Sequence, residues 1–174
     1  RIHLIGSSSL VSRFLASELI RAGHLVTRSG RTGPDHLFDA YKPSKVAIDR
    51  LIAAPHDVFI INIGSLINKR ILDQTIDEID YSFHVNVISI VRLIDAILVR
   101  HQDVQIIVLG SESGKKGSFD TSYFLSKSAL RAFVRERRIS SPRQRIMLVS
   151  PSTIEDSQMT TQRDDHERLS GYRE

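Results

Sequence analysis

Tyr123 and Lys127 stand four residues apart, and Ser111 lies twelve residues before Tyr123 in a Gly/Ser stretch that follows an apolar run. On a helix, residues i and i+4 share a face. A lysine ammonium held beside a phenol favours the phenolate, so a group with a solution pKa near ~10 can exchange protons closer to neutrality. A serine hydroxyl delivered from a neighbouring strand end would hold a substrate oxygen at the same point. These three side chains are the minimum set for moving a proton on and off a carbonyl oxygen. Tyr-x-x-x-Lys recurs on many helices, so the surrounding elements decide whether the three groups meet.

Those elements alternate short apolar runs with amphipathic segments along the whole chain. The apolar runs predict strands at residues 2–5, 25–27, 37–40, 58–63, 105–109 and 146–149. Helical spacing predicts helices at 10–22, with Leu15, Leu19 and Ile20 facing inward, at 43–53 with Pro43 in an early position, at about 80–100 and at about 123–137. About nine residues separate the second and third strands, too few for a crossover helix, so that link reads as a loop. Strands that are apolar throughout are buried on both faces, and strand–helix alternation implies parallel pairing. The fold class is therefore α/β: a Rossmann-like, doubly wound parallel sheet in a three-layer α/β/α arrangement. In such sheets ligands bind at the carboxyl ends of the strands. Gly6, Arg28, Asp39, Asn62, Ser111 and Pro151 all fall at or just beyond predicted strand ends. One domain over residues 1–174 is expected, with a polar tail at 160–174 and no internal repeat. The first residue is not methionine, and a further C-terminal strand is expected to be missing.

Four connections carry further chemistry. The first reads Gly6-Ser7-Ser8-Ser9-Leu10-Val11-Ser12 between strand and helix. A dinucleotide pyrophosphate needs a tight turn and free amides at a helix N-terminus. Gly6 supplies the turn, while Ser9 and Ser12 stand where glycine ordinarily lets the backbone approach; a serine-rich turn also serves as a simple N-cap. After the second strand comes Arg28-Ser29-Gly30-Arg31, without an acid to grip an unsubstituted ribose. Arginine there suits a 2′-phosphate, which favours NADP over NAD, and the alternative is a charged surface loop. Asn62-Ile63-Gly64 ends the fourth strand and reads as a close-approach site or a plain turn, and Pro151-Ser152-Thr153-Ile154 ends the sixth as a cofactor-covering segment or a plain loop. Asn86, in Val85-Asn86-Val87, reads either as a buried hydrogen-bonder or as a helix-surface residue.

Composition removes several function classes. The chain holds no cysteine, so disulfide frameworks and thiolate zinc sites are excluded. His3, His24, His36, His56, His84, His101 and His166 show no i,i+4 pair and no carboxylate at metal-ligand spacing, so surface or capping roles are expected and no metal site. Net charge is +4, with Arg131, Arg135, Arg137, Arg138, Arg143 and Arg145 close together. No aromatic residues interleave as base-stacking platforms, so a solvated face is expected rather than nucleic-acid binding. No apolar run in the sequence approaches the ~20 residues of a membrane span, and the start lacks a signal-peptide pattern, so no membrane partner and a cytoplasmic location are expected. Ser111 as a hydrolase nucleophile is disfavoured, because Gly110-Ser111-Glu112-Ser113-Gly114 is not a Gly-x-Ser-x-Gly elbow and only His166 follows as a base.

In chain order, residues 6–12, Asp39, Asn62-Ile63-Gly64, Asn86, Ser111, Tyr123-x-x-x-Lys127 and residues 151–154 resemble the short-chain dehydrogenase/reductase family over nearly the whole chain. The resemblance implies a single-domain, NADP-dependent (alternatively NAD-dependent) oxidoreductase acting on a small carbonyl or alcohol substrate. It implies Tyr123 as general acid/base, Lys127 lowering the tyrosine pKa and binding the nicotinamide ribose, Ser111 orienting the carbonyl, and Asn86 supporting a proton-relaying water. Cofactor contacts are implied at Gly6, Ser8, Ser9, Leu10, Arg28, Ser29, Asp39, Asn62, Ile63, Gly64, Tyr123, Lys127, Pro151, Thr153 and Ile154. A homodimer or homotetramer pairing through the helices near 80–100 and 123–137 is implied as well. The sequence departs from the pattern at Ser9 and Ser12 and in the Ser111–Tyr123 spacing, where thirteen residues are more usual. The competing function is a non-catalytic nucleotide-sensing or scaffold protein that keeps the fold.

Overall fold

Six short strands, β1 (Ile2–Ile5), β2 (Val26–Gly30), β3 (His36–Leu37), β4 (Val58–Ile61), β5 (Val104–Leu109) and β6 (Gln144–Val149), pair in parallel in the order β3-β2-β1-β4-β5-β6. The computed structural model describes residues 1–32, 35–137, 139, 141–154 and 158–161. Residues 162–174, including His166 and most of the expected polar tail, lie outside the described residues, as do Gly33 and Pro34. The order of strands reverses between β1 and β4, which opens a crevice at their carboxyl ends.

The connecting helices are α1 (Leu10–Arg21), α2 (Lys45–Leu51), α3 (Ile76–Phe83), α4 (Ser89–Arg100), α5 (Ser113–Lys116), α6 (Thr121–Glu136) and α7 (Gln158–Thr161). Three crossover helices begin on a side-chain cap: Ser9 for α1, Ser44 for α2, and a reciprocal Thr75/Glu78 box for α3. Right-handed crossovers put α2, α3–α4 and α6 on one face and α1 on the other. The first face holds the larger core, in which Ile5, Phe59, Ile61, Ile106 and Val108 of the sheet meet Ile90, Leu93, Ile94, Ile97 and Leu130. Beneath α1, Ile2, Leu4 and Ile60 pack against Ala16. On that second face the sheet continues through Ile107 and Leu109 to their partners on β6, Met147 and Val149, which are 45% and 40% exposed. The described residues leave this apolar strip partly open.

Several elements differ from the sequence expectation for identifiable reasons. β2 runs on through Arg28, Ser29 and Gly30. Polar residues are tolerated there because the buried Ser29 hydroxyl shares a 2.6 Å hydrogen bond with His3 Nε2. β3 is only two residues long, since Phe38 turns into the core. Ile20 is 53% exposed rather than inward-facing, and Ser12 and Ala16 line the buried side of α1. Helix runs from residue 76 to 100, interrupted by a π-turn at His84–Ile88, giving a 25-residue span long and apolar enough to cross a bilayer by length and composition alone. Half of its most apolar window is buried within the protein, as in a core helix.

The histidines also gather more than their spacing suggested. His3, His56 and His101 each pack on Phe59, with the His3 and His56 rings 4.8 Å apart. Their ring nitrogens engage Ser29, Thr27, Ala54 and Ile52. Burial, reinforced by the neighbouring imidazoles, pushes His3 down to about 3, so it sits in the core as a neutral ring. His84 stands one turn from a carboxylate after all, pairing with Asp80 at 3.0 Å.

The turn from β1 into α1 passes close against the end of β4. Gly6 has φ +94°, and a Cβ placed there would fall 2.1 Å from the Asn62 carbonyl oxygen. Gly23 has a similar φ of +87° with nothing within 4 Å of the same point. Gly23→Ala is therefore expected to cost only the left-handed strain, roughly 1–2 kcal/mol. Gly6→Ala adds a steric term of about 1–3 kcal/mol. Urea denaturation of the two variants measures the difference, and equal losses would contradict the close approach.

Candidate functional site

The crevice at the carboxyl ends of the strands has a volume of about 660 Å³, within the range of small-molecule and cofactor sites. Every connection that leaves a strand on this edge contributes to it: the turn after β1, Gly30 and Arg31 after β2, Asp39 after β3, residues 62–66 after β4, residues 110–113 after β5 and residues 151–154 after β6.

Tyr123 and Lys127 lie one turn apart on α6, and both line the crevice. Lys127 is 4% exposed, its Nζ stands 5.6 Å from the centroid of the Tyr123 ring, and it donates to the Ile63 carbonyl at 3.4 Å. Burial alone pushes the Lys127 ammonium down to about 8. Ser111 lines the same crevice just past β5, and its Oγ accepts the Ser113 amide at 3.2 Å, which leaves its proton available to a ligand. The turn bearing Ser111 is fixed against α6 by α5. A Cβ at Gly114 would fall 2.8 Å from the Lys127 carbonyl, and Ser128 Oγ donates to the Gly114 carbonyl at 3.0 Å.

Asn86 resolves as a buried hydrogen-bonder. It sits in the π-turn between α3 and α4, where the extra residue re-aims the side chain. Oδ1 accepts the Ser65 amide at 2.8 Å, and Nδ2 donates to the Ser65 carbonyl at 2.8 Å and to Ser82 Oγ at 3.2 Å. This two-point clamp holds the backbone just after Gly64. A Cβ at Gly64 would meet Met159 Cε at 3.2 Å, Lys127 Nζ at 3.4 Å and Asn86 Oδ1 at 3.6 Å, so the absence of a side chain keeps this end of the crevice open.

At the other end, the serines standing in glycine positions act as ties. Ser12 is fully buried; its hydroxyl donates to the Gly6 carbonyl and accepts from Asn62 Nδ2, both at 2.8 Å. Ser9 Oγ caps α1 by accepting the Ser12 amide at 3.1 Å and receives Asn62 Nδ2 at 3.0 Å. The α1 amides of Leu10 and Val11 keep no partner among the described residues. Gly6, Ser8, Ser9 and Leu10 all line the crevice.

Arg28 and Ser29 do not. Because β2 is longer than its apolar run, both lie within the sheet: Ser29 is buried against His3, and the Arg28 amide donates to Asp35 Oδ2 at 2.7 Å. Gly30 and Arg31 take the place at the crevice wall that sequence spacing gave to them. A Cβ at Gly30 would lie 2.9 Å from both Ser7 Oγ and Ser8 Oγ, and the buried Ser7 hydroxyl has no partner among the described residues. Asp39, Asn62, Ile63, Gly64, Pro151, Thr153 and Ile154 all line the crevice. Sequence reasoning chose Arg28 over Arg31 within the same stretch and missed Gly114, Phe119 and Met159; of those three only Gly114 carried a signal, as the second glycine of the loop around Ser111. A tight glycine turn, free helix-opening amides, an orphaned hydroxyl and a cradle that any Cβ at Gly30 would fill fit a dinucleotide laid across the switch point.

Lys127 makes the site sensitive to pH. Its pKa is lower folded than unfolded, so the unfolded chain binds more protons between about pH 8 and the ordinary lysine value of 10.5. Below about pH 8 the full penalty applies, about 3 kcal/mol by the size of the shift, and it is relieved as pH rises through that window. Chemical denaturation at pH 7 and pH 9.5 is expected to show this relief in the native chain and not in Lys127→Met. The same pH dependence in both would rule out a buried ammonium.

Solved structures with the same architecture include a short chain dehydrogenase family protein from Francisella tularensis subsp. tularensis SCHU S4, at 19% identity and TM-score 0.81 over 98% of this chain and 76% of that one. A 3-oxoacyl-(acyl-carrier-protein) reductase from Agrobacterium tumefaciens C58, solved with NADP bound, gives 19% identity and TM-score 0.79 over 99% and 76%. The Thermoplasma acidophilum aldohexose dehydrogenase gives 20% and 0.79 over 92% and 69%. At these identities the likeness establishes the fold. A search of curated proteins finds no significant match. The short chain dehydrogenase family profile matches residues 44–168, which span β4, the Asn86 turn, Ser111 and the Tyr123/Lys127 helix. On that match, the chain belongs to the short-chain dehydrogenase/reductase family of nicotinamide-dependent oxidoreductases.

Proposed function

We propose that this family member is an NADP-dependent carbonyl reductase or alcohol dehydrogenase in which Tyr123 is the general acid/base. The observation that carries this reading is the buried Lys127 amine against the Tyr123 ring, with Ser111 on the same crevice wall. A cation in so dry a place acts strongly on a neighbouring phenol, because little water screens it. In the reducing direction Tyr123 gives its hydroxyl proton to the substrate oxygen while the Ser111 hydroxyl holds that oxygen in place. In the oxidising direction the same phenol takes the proton back. When bound, the nicotinamide supplies or accepts the hydride at the carbon. Gly64, clamped by Asn86, would receive that end of the dinucleotide, and the Leu10 and Val11 amides its pyrophosphate.

A preference for NADP is supported by Arg31 on the crevice wall and by the Ser7 and Ser8 hydroxyls beside Gly30. Arg13, Arg28 and Thr32 surround a smaller hollow behind the same turn. This cation-and-hydroxyl lining suits a phosphate better than a bare ribose. The Agrobacterium reductase was itself solved with NADP. We also propose self-association through α4 and α6, on which Val99 and Leu125 remain exposed.

Thermal-shift titrations with NADPH and NADH test the nucleotide. NADPH at about 100 times its dissociation constant should stabilise the chain by about 2.7 kcal/mol, with NADH weaker at equal concentration. Tyr123→Phe should lower carbonyl-dependent NADPH oxidation at least about a hundredfold and leave nucleotide affinity nearly unchanged. Stabilisation by neither nucleotide would remove the enzyme reading, and binding without turnover of any carbonyl compound would favour a sensor. Gel filtration should give a volume larger than a 19.7 kDa monomer, and a monomeric elution would remove the proposed self-association.

A further inference from the structure

Phe119 forms part of the crevice wall four residues before Tyr123, and the Arg70 guanidinium lies over its ring at 5.0 Å. Arg70 is exposed, and among the described residues it has no carboxylate partner. The loop that carries it is nevertheless held. Lys69 Nζ pairs with Glu78 at 2.7 Å, and the Lys69 carbonyl accepts from Nε2 of the buried Gln74 at 2.8 Å. Glu78 is itself fixed by the reciprocal cap with Thr75. On the opposite lip Lys116 lines the crevice but is paired with Glu112 at 3.1 Å, so neither adds net charge. Leu66, Phe119 and Ile154 provide apolar lining in the same crevice as Tyr123. The crevice thus holds a proton donor at Tyr123 and apolar wall that includes Phe119, and the Arg70 cation lies against that Phe119 ring without a carboxylate partner among the described residues. A guanidinium stacked on an aromatic face keeps its in-plane N–H groups free for a carboxylate.

We infer that the substrate is an anionic carbonyl compound, an oxo acid or the corresponding hydroxy acid, whose carboxylate is held by Arg70 while an aryl or alkyl body lies against Phe119. This rests on the reading above that the reacting carbonyl sits at Tyr123. Phe119 acts as a positioning residue, since its ring lies under the guanidinium.

The test compares 4-acetylbenzoate with its methyl ester, which differ in charge and little in shape, as substrates in NADPH oxidation and as ligands in ligand-observed NMR. The native protein is expected to prefer the acid by about tenfold in kcat/KM, the worth of one charge-assisted hydrogen bond. That preference should shrink as ionic strength rises. Arg70→Gln should bring the acid-to-ester ratio to about one, and Arg70→Lys should retain part of it. Equal kcat/KM for acid and ester in the native protein would overturn the inference while leaving the carbonyl reductase reading intact, as would an unchanged ratio in Arg70→Gln. If neither compound is reduced, acid binding that is present in the native protein and lost in Arg70→Gln would sustain the carboxylate site at Arg70. Absence of acid binding to the native protein would overturn it.

Discussion

A buried amine organises this protein. Lys127 has almost no contact with water, and its described polar contact is the long one to the Ile63 carbonyl. Removing an ammonium from water is costly, and the protein tolerates it only because surrounding elements leave the amine nowhere else to go. The crowding is built from backbone. Gly114 brings α5 onto the Lys127 carbonyl, and Gly64 lets the chain after β4 pass beside Nζ. Asn86 fixes that passage by gripping Ser65 at both its amide and its carbonyl. A π-turn inside a long helix, a glycine at a strand end and a glycine in a short helix thus converge on one residue.

The opposite end of the crevice solves a different problem with a similar economy of contacts. Family members ordinarily bring the first turn close to the sheet with glycines, whereas here serine hydroxyls bridge the gap. Ser9 and Ser12 both reach Asn62, and Ser12 also reaches back to Gly6, so the ends of β1 and β4 and the start of α1 form one hydrogen-bonded unit. Glycine remains indispensable at position 6, where the Asn62 carbonyl occupies the space of a side chain. Asn62 therefore serves the fold as a tie and the crevice as a wall.

Much of this was legible in the sequence because buried parallel strands are apolar on both faces and read as continuous runs. β1, β4 and β5 were found that way, and the four polar residues Tyr123, Lys127, Ser111 and Asn86 follow from their places relative to those runs. What escaped depends on partners far along the chain. β2 continues through Arg28 and Ser29 because His3 satisfies the buried hydroxyl, a pairing across 26 residues that no local pattern records. That extension moves the crevice position from Arg28 to Arg31. The grouping of His3, His56 and His101 around Phe59 likewise arises only when three separate elements meet. Ser12 looked like a departure from a glycine fingerprint, and its role as a tie needs Asn62 in place.

Among the described residues, Ile107, Leu109, Met147 and Val149 form an apolar strip on the α1 face of the sheet. Arg145 shares that face of β6 two residues before Met147, opposite Gln105. Its guanidinium puts a charge at the near end of the apolar run, so among the described residues that face of β6 turns from polar to apolar within one strand.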